Sequence, residues 1–370
     1  MLLDQVTNSL IPQALEGQDE QFQRAFAVLR AGIEQRAFPG ACAAITFKGK
    51  LIAHKALGYF TYETTSPDIT RETIFDLASV TKALATTAAC MVLHEEDRFH
   101  LEQPVMELLP EFAANDASRL RVTLRMLLAH SSGLPAYIKL FQTARNRREL
   151  LAQALQTPLA SDPGSRAEYS DIGFILLGEA LERITGQPLD QFCRRSVFSP
   201  LNLNTLSFNP PDAWKAAIPP TENDRTFRQR IIQGEVNDEN AYVMGGVAGH
   251  AGCFGNALDV AAYAECMLRG GAPLLQRHTT VGLFTQRQDA PPGTSRVLGW
   301  DTPSPPSQSG KYFSQKSYGH LGYTGTSLWI DPERRLSVTL LTNRTWPDRG
   351  SQGIKQIRPA FHDAVIEALD

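Results

Sequence analysis

The chain has 370 residues, of which 42 % are hydrophobic and 20 % charged, and its 36 basic and 39 acidic side chains give a formal net charge of −3. These values are typical of a soluble globular protein that can bury a large core. The near balance of charge excludes the basic surface that nucleic-acid binding requires and favours a small-molecule partner. No segment reaches the roughly 18 consecutive apolar residues of a membrane span.

The cysteines and the first residues of the chain indicate the cellular compartment in which we expect the protein. Five cysteines are scattered without a Cys-x-x-Cys pair, and their odd number argues against a disulfide framework, so we expect buried free thiols. Asp4 and Gln5 interrupt the apolar N-terminal residues and no basic run precedes them, which predicts that there is no signal peptide. We therefore expect a cytoplasmic protein, and a periplasmic one only if a leader has been removed.

Hydrophobic periodicity predicts a helix and a hairpin before the first motif. The elements expected here are an amphipathic helix over roughly residues 19–36, ended by Pro39-Gly40, a β-hairpin of strands 41–47 and 51–57, and a helix from Ser79 to about His94. Helical patterns then dominate, and the clearest of them precedes Gly186, a common C-terminal stop. The helices predicted there cover 105–109, 124–128, 149–155 and 172–184.

The last third of the chain changes character again. It is predicted to contain a helix over 258–268, a loop region over 286–317 rich in proline and glycine, strands over 325–330 and 336–342 joined by a turn at Asp331-Pro332-Glu333, and a closing helix over 357–369. Strands near both termini predict an α/β fold of the α+β type, in which a mostly antiparallel sheet built from both chain ends is flanked by helices. Residues 1–95 and 241–370 would form this sheet domain, residues 96–240 an all-helical insertion, and the active site would lie between them.

Ser79-Val80-Thr81-Lys82 is the most informative short segment. Residues three apart on a helix share a face, so the lysine amine can reach the serine oxygen. A serine hydroxyl is a weak nucleophile that needs such a neighbour, and free N–H groups at a helix start can stabilise an oxyanion. An N-cap serine followed by a solvated lysine is the structural alternative, so the tetrad alone does not decide.

Two later motifs favour catalysis: Tyr169-Ser170-Asp171 and His320-Leu321-Gly322. With these motifs in this order, the chain resembles the serine β-lactamase and penicillin-binding-protein superfamily, specifically its class C-like, esterase-related branch. The resemblance extends from about Phe38-Pro39-Gly40 to Asp331-Pro332 and implies a β-lactamase/transpeptidase-like fold. Further matching segments are 127–135, 245–252 and 322–326.

The resemblance implies roles for individual residues. Ser79 would be the acylated nucleophile, Lys82 its activating partner and Tyr169 the proton shuttle. The backbone N–H groups of Ser79 and Tyr323 would form the oxyanion hole, and neither a metal nor an organic cofactor is implied. A neighbouring lysine is expected to lower the pKa of Tyr169. We expect Gly322 to keep the strand clear for substrate.

Two departures from the family pattern concern the substrate. His320 replaces the usual lysine, and a neutral imidazole is a weaker anion site. Asp171 replaces the usual asparagine, which should raise the pKa of Lys82, leave more of the proton transfer to Tyr169 and favour a substrate amine over an anion. These changes predict turnover of neutral esters or D-amino peptides in preference to β-lactams. His250, in a glycine-rich loop, is a further substrate-binding candidate, whereas His130 is interpreted as structural.

Other enzyme classes lack their motifs here. The chain has no G-x-S-x-G nucleophile elbow and no phosphate-binding loop, and His94-Glu95-Glu96 lacks the second histidine of a zinc protease. Two readings stay open beside the hydrolase: a penicillin-binding-like D,D-peptidase, and a non-hydrolytic binder of cell-wall fragments that acylates slowly. The sequence leaves the natural substrate and the oligomeric state open.

Overall fold

The computed structural model describes residues 10–63, 65–113, 116–287 and 291–370. The start of the chain, on which the signal-peptide prediction rests, and positions 288–290 of the predicted loop lie outside the described residues. The helices are α1 Gln18–Gln21, α2 Gln23–Glu34, α3 Ala88–Glu95, α4 Val105–Leu108, α5 Leu124–Leu128, α6 Arg147–Gln156, α7 Asp171–Thr185, α8 Leu189–Cys193, α9 Glu239–Val243, α10 Ala257–Leu268, α11 His278–Thr285 and α12 Ile354–Glu367. The strands are β1 Gly40–Phe47, β2 Lys50–Gly58, β3 Phe75–Asp76, β4 Ser207–Phe208, β5 Glu222–Asp224, β6 Arg230–Ile232, β7 Cys253–Gly255, β8 Arg296–Val297, β9 Trp300–Asp301, β10 Tyr318–Leu321, β11 Ser327–Asp331 and β12 Leu336–Thr342.

A seven-stranded antiparallel sheet joins the two ends of the chain in the order β2-β1-β12-β11-β10-β9-β8. The pairing of β1 with β12 joins the two chain ends, with Ala41 opposite Thr342 and Phe47 opposite Leu336. The predicted hairpin and the sheet built from both termini are thus confirmed. A small sheet, β3-β7-β4, and a two-stranded ribbon, β5-β6, complete the strands of the described part.

Both faces of the large sheet are covered, because alternate residues of its strands point to opposite sides. Ala43 and Ile45 of β1 belong to a core with α2 and α12, whereas Cys42 and Ala44 belong to the larger core that includes α10 and α3. All five cysteines are buried free thiols, as predicted. Within the described ranges, no helix has both the length and the apolar character of a membrane span.

Several short elements differ from the predictions. The helix expected over 19–36 is interrupted at Phe22, whose fully buried ring accompanies non-helical dihedrals. The expected strand over 325–330 begins only at Ser327, because Gly325 has φ +98° and lies in the turn. The region 286–317 contains β8 and β9, and the region 96–240 contains β4, β5 and β6 beside its helices. Two- and three-residue strands carry too little alternation to be seen in a sequence.

The helix predicted over 79–94 is composite. Ala78–Val80 form a 3-10 turn, Lys82–Thr87 a π-helical segment, and only Ala88–Glu95 is α-helical. Tertiary donors reach carbonyl groups of the π-helical segment: Tyr263 Oη lies 3.1 Å from the Ala83 oxygen. Widened turns of this kind occur frequently at functional sites.

Candidate active site

Ser79 follows a constrained turn. Ala78 has φ +47°, an uncommon conformation for a residue with a Cβ. The Asp76 carboxylate accepts hydrogen bonds from the backbone N–H of Ala78 at 2.8 Å and of Asn237 at 2.6 Å. Burial raises the pKa of Asp76 to about 6, although these two hydrogen bonds oppose the shift. The Asp76 carboxylate therefore ties the turn before Ser79 to the backbone of Asn237.

Lys82 is fully buried, and its ammonium group contacts three oxygens, two as hydrogen-bond acceptors and one in an ion pair. Nζ lies 3.1 Å from Ser79 Oγ, 2.8 Å from the His250 carbonyl oxygen and 2.7 Å from Asp171 Oδ1. An ammonium group has three hydrogens, so this environment matches the protonated form. Burial favours a lower pKa for Lys82, but Asp171 and Tyr169 outweigh it and the net direction is upward. The structure agrees with the expected effect of Asp171 on this lysine.

Tyr169 lies immediately before Ser170, which caps α7 by accepting a hydrogen bond from the Gly173 N–H. Tyr169 Oη donates to Ser79 Oγ at 2.9 Å. The expectation of a lowered tyrosine pKa was wrong. Burial and the charge of Asp171 raise the pKa of Tyr169, and the opposing effect of Lys82 is smaller.

His130, interpreted as structural from the sequence, packs against the Tyr169 ring. Its ring centroid lies 4.8 Å from that of Tyr169 and 5.0 Å from that of Phe174. Nδ1 accepts the Ser170 N–H at 3.0 Å, so the proton of the neutral ring is on Nε2. Burial, followed by the charges of Arg296 and Lys82, lowers the pKa of His130 well below its usual value.

The third motif lies on β10, and His320 from this strand lines the same cavity. Its Nδ1 is 2.9 Å from the Leu321 carbonyl oxygen, and its ring is 6.3 Å from that of Tyr169. Burial, and then the charges of Lys82 and Arg296, lower the pKa of His320 to about 3. The imidazole is therefore neutral at physiological pH.

Packing gives a reason for glycine at position 322 that the sequence did not show. A Cβ at this position would lie 1.9 Å from Thr326 Oγ1 and 2.6 Å from the Leu77 carbonyl oxygen. Packing within the protein therefore excludes a side chain here, and the predicted clearance for substrate stays a prediction. Next to it, Tyr323 is 51 % exposed and lines the cavity.

Ser79 and Tyr323, whose backbone N–H groups are the predicted oxyanion hole, line the same cavity. Neither N–H group donates to an acceptor among the residues the structure describes. Free N–H donors beside a nucleophile can form an oxyanion hole, and the assignment of these two groups to one stays a prediction.

His250 contacts the site through its backbone. Its carbonyl oxygen accepts from Lys82, whereas its ring is only 1 % exposed and Nε2 lies 2.9 Å from Asp238 Oδ1. The pKa of Asp238 is lowered to about 2, because His250 and the Ala241 N–H outweigh the effect of burial. The predicted substrate-binding side chain is thus directed at Asp238.

The site opens into a cavity of about 1320 Å³. Ser79 and Tyr323 line it from the chain ends that build the sheet, and Tyr137, Tyr169 and Phe227 line it from the middle of the chain. The division of the chain into two domains at residues 95 and 241 stays a prediction.

Sequence reasoning missed several charged side chains that line this cavity: Arg296, Arg344, Arg349, Lys355 and Arg358. They come from short strands, a loop and α12, and no motif includes them. Neither the turn at Asp331-Pro332-Glu333 nor the strand after it indicates that the chain returns to the site at Arg344 and Arg349. Among the described residues, no group of three or more histidine, cysteine, aspartate or glutamate side chains is placed to hold a metal ion.

Comparison with known proteins gives consistent results. The Beta-lactamase family model matches residues 24–359. The "Putative D-alanyl-D-alanine carboxypeptidase" of Escherichia coli (strain K12) is 36 % identical over 305 residues, covering 74 % of this chain and 70 % of that protein. The chain belongs to the beta-lactamase family.

A second relative, the N-acetylmuramyl-L-alanine amidase of Bacillus subtilis (strain 168), is 33 % identical over 347 residues, covering 83 % of this chain and 77 % of the relative. Among solved structures, EstCE1, a hydrolase with promiscuous acyltransferase activity, has a TM-score of 0.75 and 25 % identity, with coverage of 93 % and 99 %. A class C beta lactamase from Rhodobacter sphaeroides has a TM-score of 0.73 at 19 % identity, with coverage of 94 % and 100 %. This beta-lactamase family member is a serine hydrolase with the β-lactamase/transpeptidase-like fold.

Proposed function

We propose that the protein hydrolyses esters or amides through an acyl-enzyme formed on Ser79. The observation that carries this proposal is the convergence of two groups on one oxygen: Lys82 Nζ at 3.1 Å and Tyr169 Oη at 2.9 Å from Ser79 Oγ. Such an arrangement brings the nucleophile within hydrogen-bond reach of the groups that must remove and return its proton.

The protonation states suggest which group is the base. A charged Lys82 and a neutral Tyr169 cannot accept a proton, so the cluster must lose one proton before Ser79 can be deprotonated. We assign the reactive form to the Tyr169 phenolate, which Lys82 stabilises, since the phenol already contacts Ser79. Asp171 would keep Lys82 charged throughout and thereby make it an organiser of the site.

Acylation then follows in balanced steps. Ser79 Oγ bonds to the acyl carbon while its proton passes to Tyr169, and the carbonyl oxygen becomes an anion that the Ser79 and Tyr323 N–H groups stabilise. The tetrahedral adduct expels the leaving group, which takes the proton from Tyr169. Water repeats the sequence in deacylation, losing a proton to Tyr169, and Ser79 leaves with that proton.

Neutral esters are the substrate class that we favour over carboxylate-bearing β-lactams. The neutral ring of His320 supplies no charge for a substrate anion at the third motif. The carboxylate of Asp171 is engaged by Lys82 at 2.7 Å, which leaves it a weaker attractor of a substrate amine than the sequence alone suggested. The preference therefore rests mainly on His320.

A second candidate is a peptidase whose substrate carries a carboxylate. Arg344 and Arg358 line the cavity, and within the described ranges neither has a carboxylate within ion-pair distance. Relatives named as carboxypeptidase and amidase agree with this second candidate.

A substrate panel separates these candidates. We would assay p-nitrophenyl esters, D-amino-acid anilides, peptides ending in D-alanine and a chromogenic cephalosporin with the wild type and with Ser79→Ala. Intact mass after brief exposure to each substrate would detect the acyl-enzyme. The expected result is turnover of the esters that Ser79→Ala abolishes, with slow cephalosporin hydrolysis.

The other outcomes have distinct meanings. Faster turnover of carboxylate-bearing peptides or cephalosporins would overturn the ester preference in favour of the second candidate. A stable adduct on Ser79 without turnover would indicate the slow-acylating binder. Ester hydrolysis that persists in Ser79→Ala would refute the proposed nucleophile.

A further inference from the structure

Two buried threonine hydroxyls connect the two sides of the proposed oxyanion hole. Thr324 Oγ1 donates to the Asp76 carbonyl oxygen at 2.7 Å, and Thr326 Oγ1 donates to the Leu77 carbonyl oxygen at 2.9 Å. Their acceptors lie three and two residues before Ser79, and the threonines lie one and three residues after Tyr323. Both threonines are buried, at 1 % and 0 % exposure.

These contacts are the hydrogen bonds that join segment 75–80 to segment 318–326 within the part of the chain that the structure describes. Backbone pairing does not join them, because β3 pairs with β7 whereas β10 pairs with β11 and β9. The separation of the Ser79 and Tyr323 N–H groups therefore depends on side chains.

Gly322 supplies an independent observation. A Cβ there would meet both partners of one of these contacts, Thr326 Oγ1 at 1.9 Å and the Leu77 oxygen at 2.6 Å. The Gly322 N–H also donates to the Thr326 carbonyl oxygen at 2.7 Å, which closes the turn that carries Tyr323. The hydrogen bond between Thr326 and Leu77 thus occupies the space that a side chain at position 322 would need, and the chain has glycine there.

The turn is also held from its far side. Arg344 Nε donates to the Tyr323 carbonyl oxygen at 2.7 Å, and the Arg344 N–H donates to the Thr324 carbonyl oxygen at 2.9 Å. A turn fixed at the carbonyl groups of Tyr323 and Thr324 also holds the Tyr323 N–H in a defined direction.

We infer that Thr324 and Thr326 are positioning residues that set the geometry of the oxyanion hole by tying the Tyr323 turn to the Ser79 turn. This inference rests on the proposed function, because it needs an oxyanion to form at Ser79. Preorganised donors stabilise a transition state only when they are held in place before the reaction, and a displacement of about 1 Å can cost about 100-fold in rate. Neither hydroxyl contacts the substrate in this mechanism.

The test compares Thr324→Val and Thr326→Val with Thr324→Ser and Thr326→Ser. Valine keeps the shape but removes the hydroxyl, whereas serine keeps it. Thr46→Val is the matched control. Thr46 is also fully buried, and valine there removes a hydroxyl contact of 2.7 Å to Ser337 Oγ. This contact lies at the end of the β1–β12 pair that is remote from Thr342. Each variant is assayed on the best p-nitrophenyl ester and titrated with a boronic acid, whose tetrahedral adduct on serine places an oxygen in the hole.

We expect each valine variant at 324 and 326 to lower kcat by about 10- to 100-fold, with KM within about threefold of wild type. Boronate affinity should fall by a similar factor, and both serine variants should recover most of kcat. Thr46→Val should keep kcat and boronate affinity near wild-type values. If a substitution lowered only the thermal stability, both kcat and boronate affinity would stay at wild-type values.

Two results would overturn the inference: valine variants whose kcat and boronate affinity match those of Thr46→Val, or serine variants that are as slow as the valine ones. If a valine variant does not fold, alanine at the same position replaces it in the same comparison. Failure of the proposed function has a different signature, namely no Ser79-dependent turnover and no boronate binding by the wild type.

Discussion

Buried charge is compensated differently at two ends of the site: the nucleophile end, around Lys82, and the Tyr323 end, around Arg358. At the nucleophile end, Lys82 and Asp171 form a 2.7 Å ion pair, so the cluster contains its own counter-charge. At the Tyr323 end, Arg358 is only 4 % exposed but donates to Gln308 Oε1 and to the Thr326 carbonyl oxygen, with no carboxylate at ion-pair distance in the described part of the chain. Burial, and then the charge of Arg344, lower the pKa of Arg358 to about 9.

The difference separates two uses of a cation. A buried lysine that is paired with a carboxylate has its charge fixed, and it can act on its neighbours electrostatically without exchanging protons with solvent. A buried arginine that is satisfied only by neutral acceptors retains most of its desolvation cost. It shapes the turn that carries Tyr323, yet its charge stays available to whatever enters the cavity.

The largest test of the nucleophile end is Tyr169→Phe. Phenylalanine keeps the ring packing against His130 but removes the only group, other than Lys82, that donates to Ser79 Oγ among the described residues. General acid–base catalysis contributes about 10²–10⁴-fold, so we expect kcat on the best ester to fall by that factor. Steady-state kinetics of purified, folded variant would check it. Near wild-type activity would instead make Lys82 the base.

Asp171→Asn tests whether the counter-charge sets the working pH. Asp171 raises the pKa of both Lys82 and Tyr169 in the folded protein, and activity requires that the cluster has lost a proton. Activity should therefore rise as pH increases through this raised pKa. Removing the carboxylate lowers it, so the acid limb of kcat/KM should move to lower pH by about 1–3 units.

The measurement is a pH–rate profile of both proteins between pH 5 and about 10.5, above the usual pKa of tyrosine. Asparagine is nearly isosteric with aspartate, so the change is mainly one of charge. An unmoved acid limb would show that Asp171 does not control the ionisation that matters. A limb that moves to higher pH would reverse the assigned roles of Lys82 and Tyr169.

How much the sequence could predict follows the same division. Ser79, Lys82, Tyr169 and His320 lie in short motifs. In the structure Lys82 and Tyr169 hydrogen-bond to Ser79 Oγ, and His320 lines the same cavity as Ser79 and Tyr169. The sign of the tyrosine pKa shift could not be predicted, because it depends on the balance of burial against two opposite charges at distances that only the fold sets.

Much less of the Tyr323 end could be predicted from the sequence. The threonines after Tyr323 were visible in the segment 322–326, but their acceptors are carbonyl groups nearly 250 positions away, and any residue type supplies a carbonyl. Arg358 looks in the sequence like one more charged residue of an amphipathic helix. Only the packing of α12 against the sheet reveals that this side chain is buried.

The smallest expected effect compares the two cations directly, through the free energy of unfolding. Lys82→Met leaves Asp171 without its partner, and breaking a buried ion pair in this way typically costs about 3–5 kcal/mol. Arg358→Met removes a charge that has no carboxylate partner. Its lost hydrogen bonds, about 1 kcal/mol each, are offset by the desolvation that methionine avoids.

We therefore expect Arg358→Met to change the free energy of unfolding by no more than about 1 kcal/mol in either direction. Urea denaturation at pH 7 and a single ionic strength, with the wild type alongside, would measure both variants. Equal losses of several kcal/mol would mean that the acceptors of Arg358 compensate its charge as fully as Asp171 compensates Lys82. In that case the two ends of the cavity would not differ in how they hold their cations, and the Arg358 charge would not be available to a ligand.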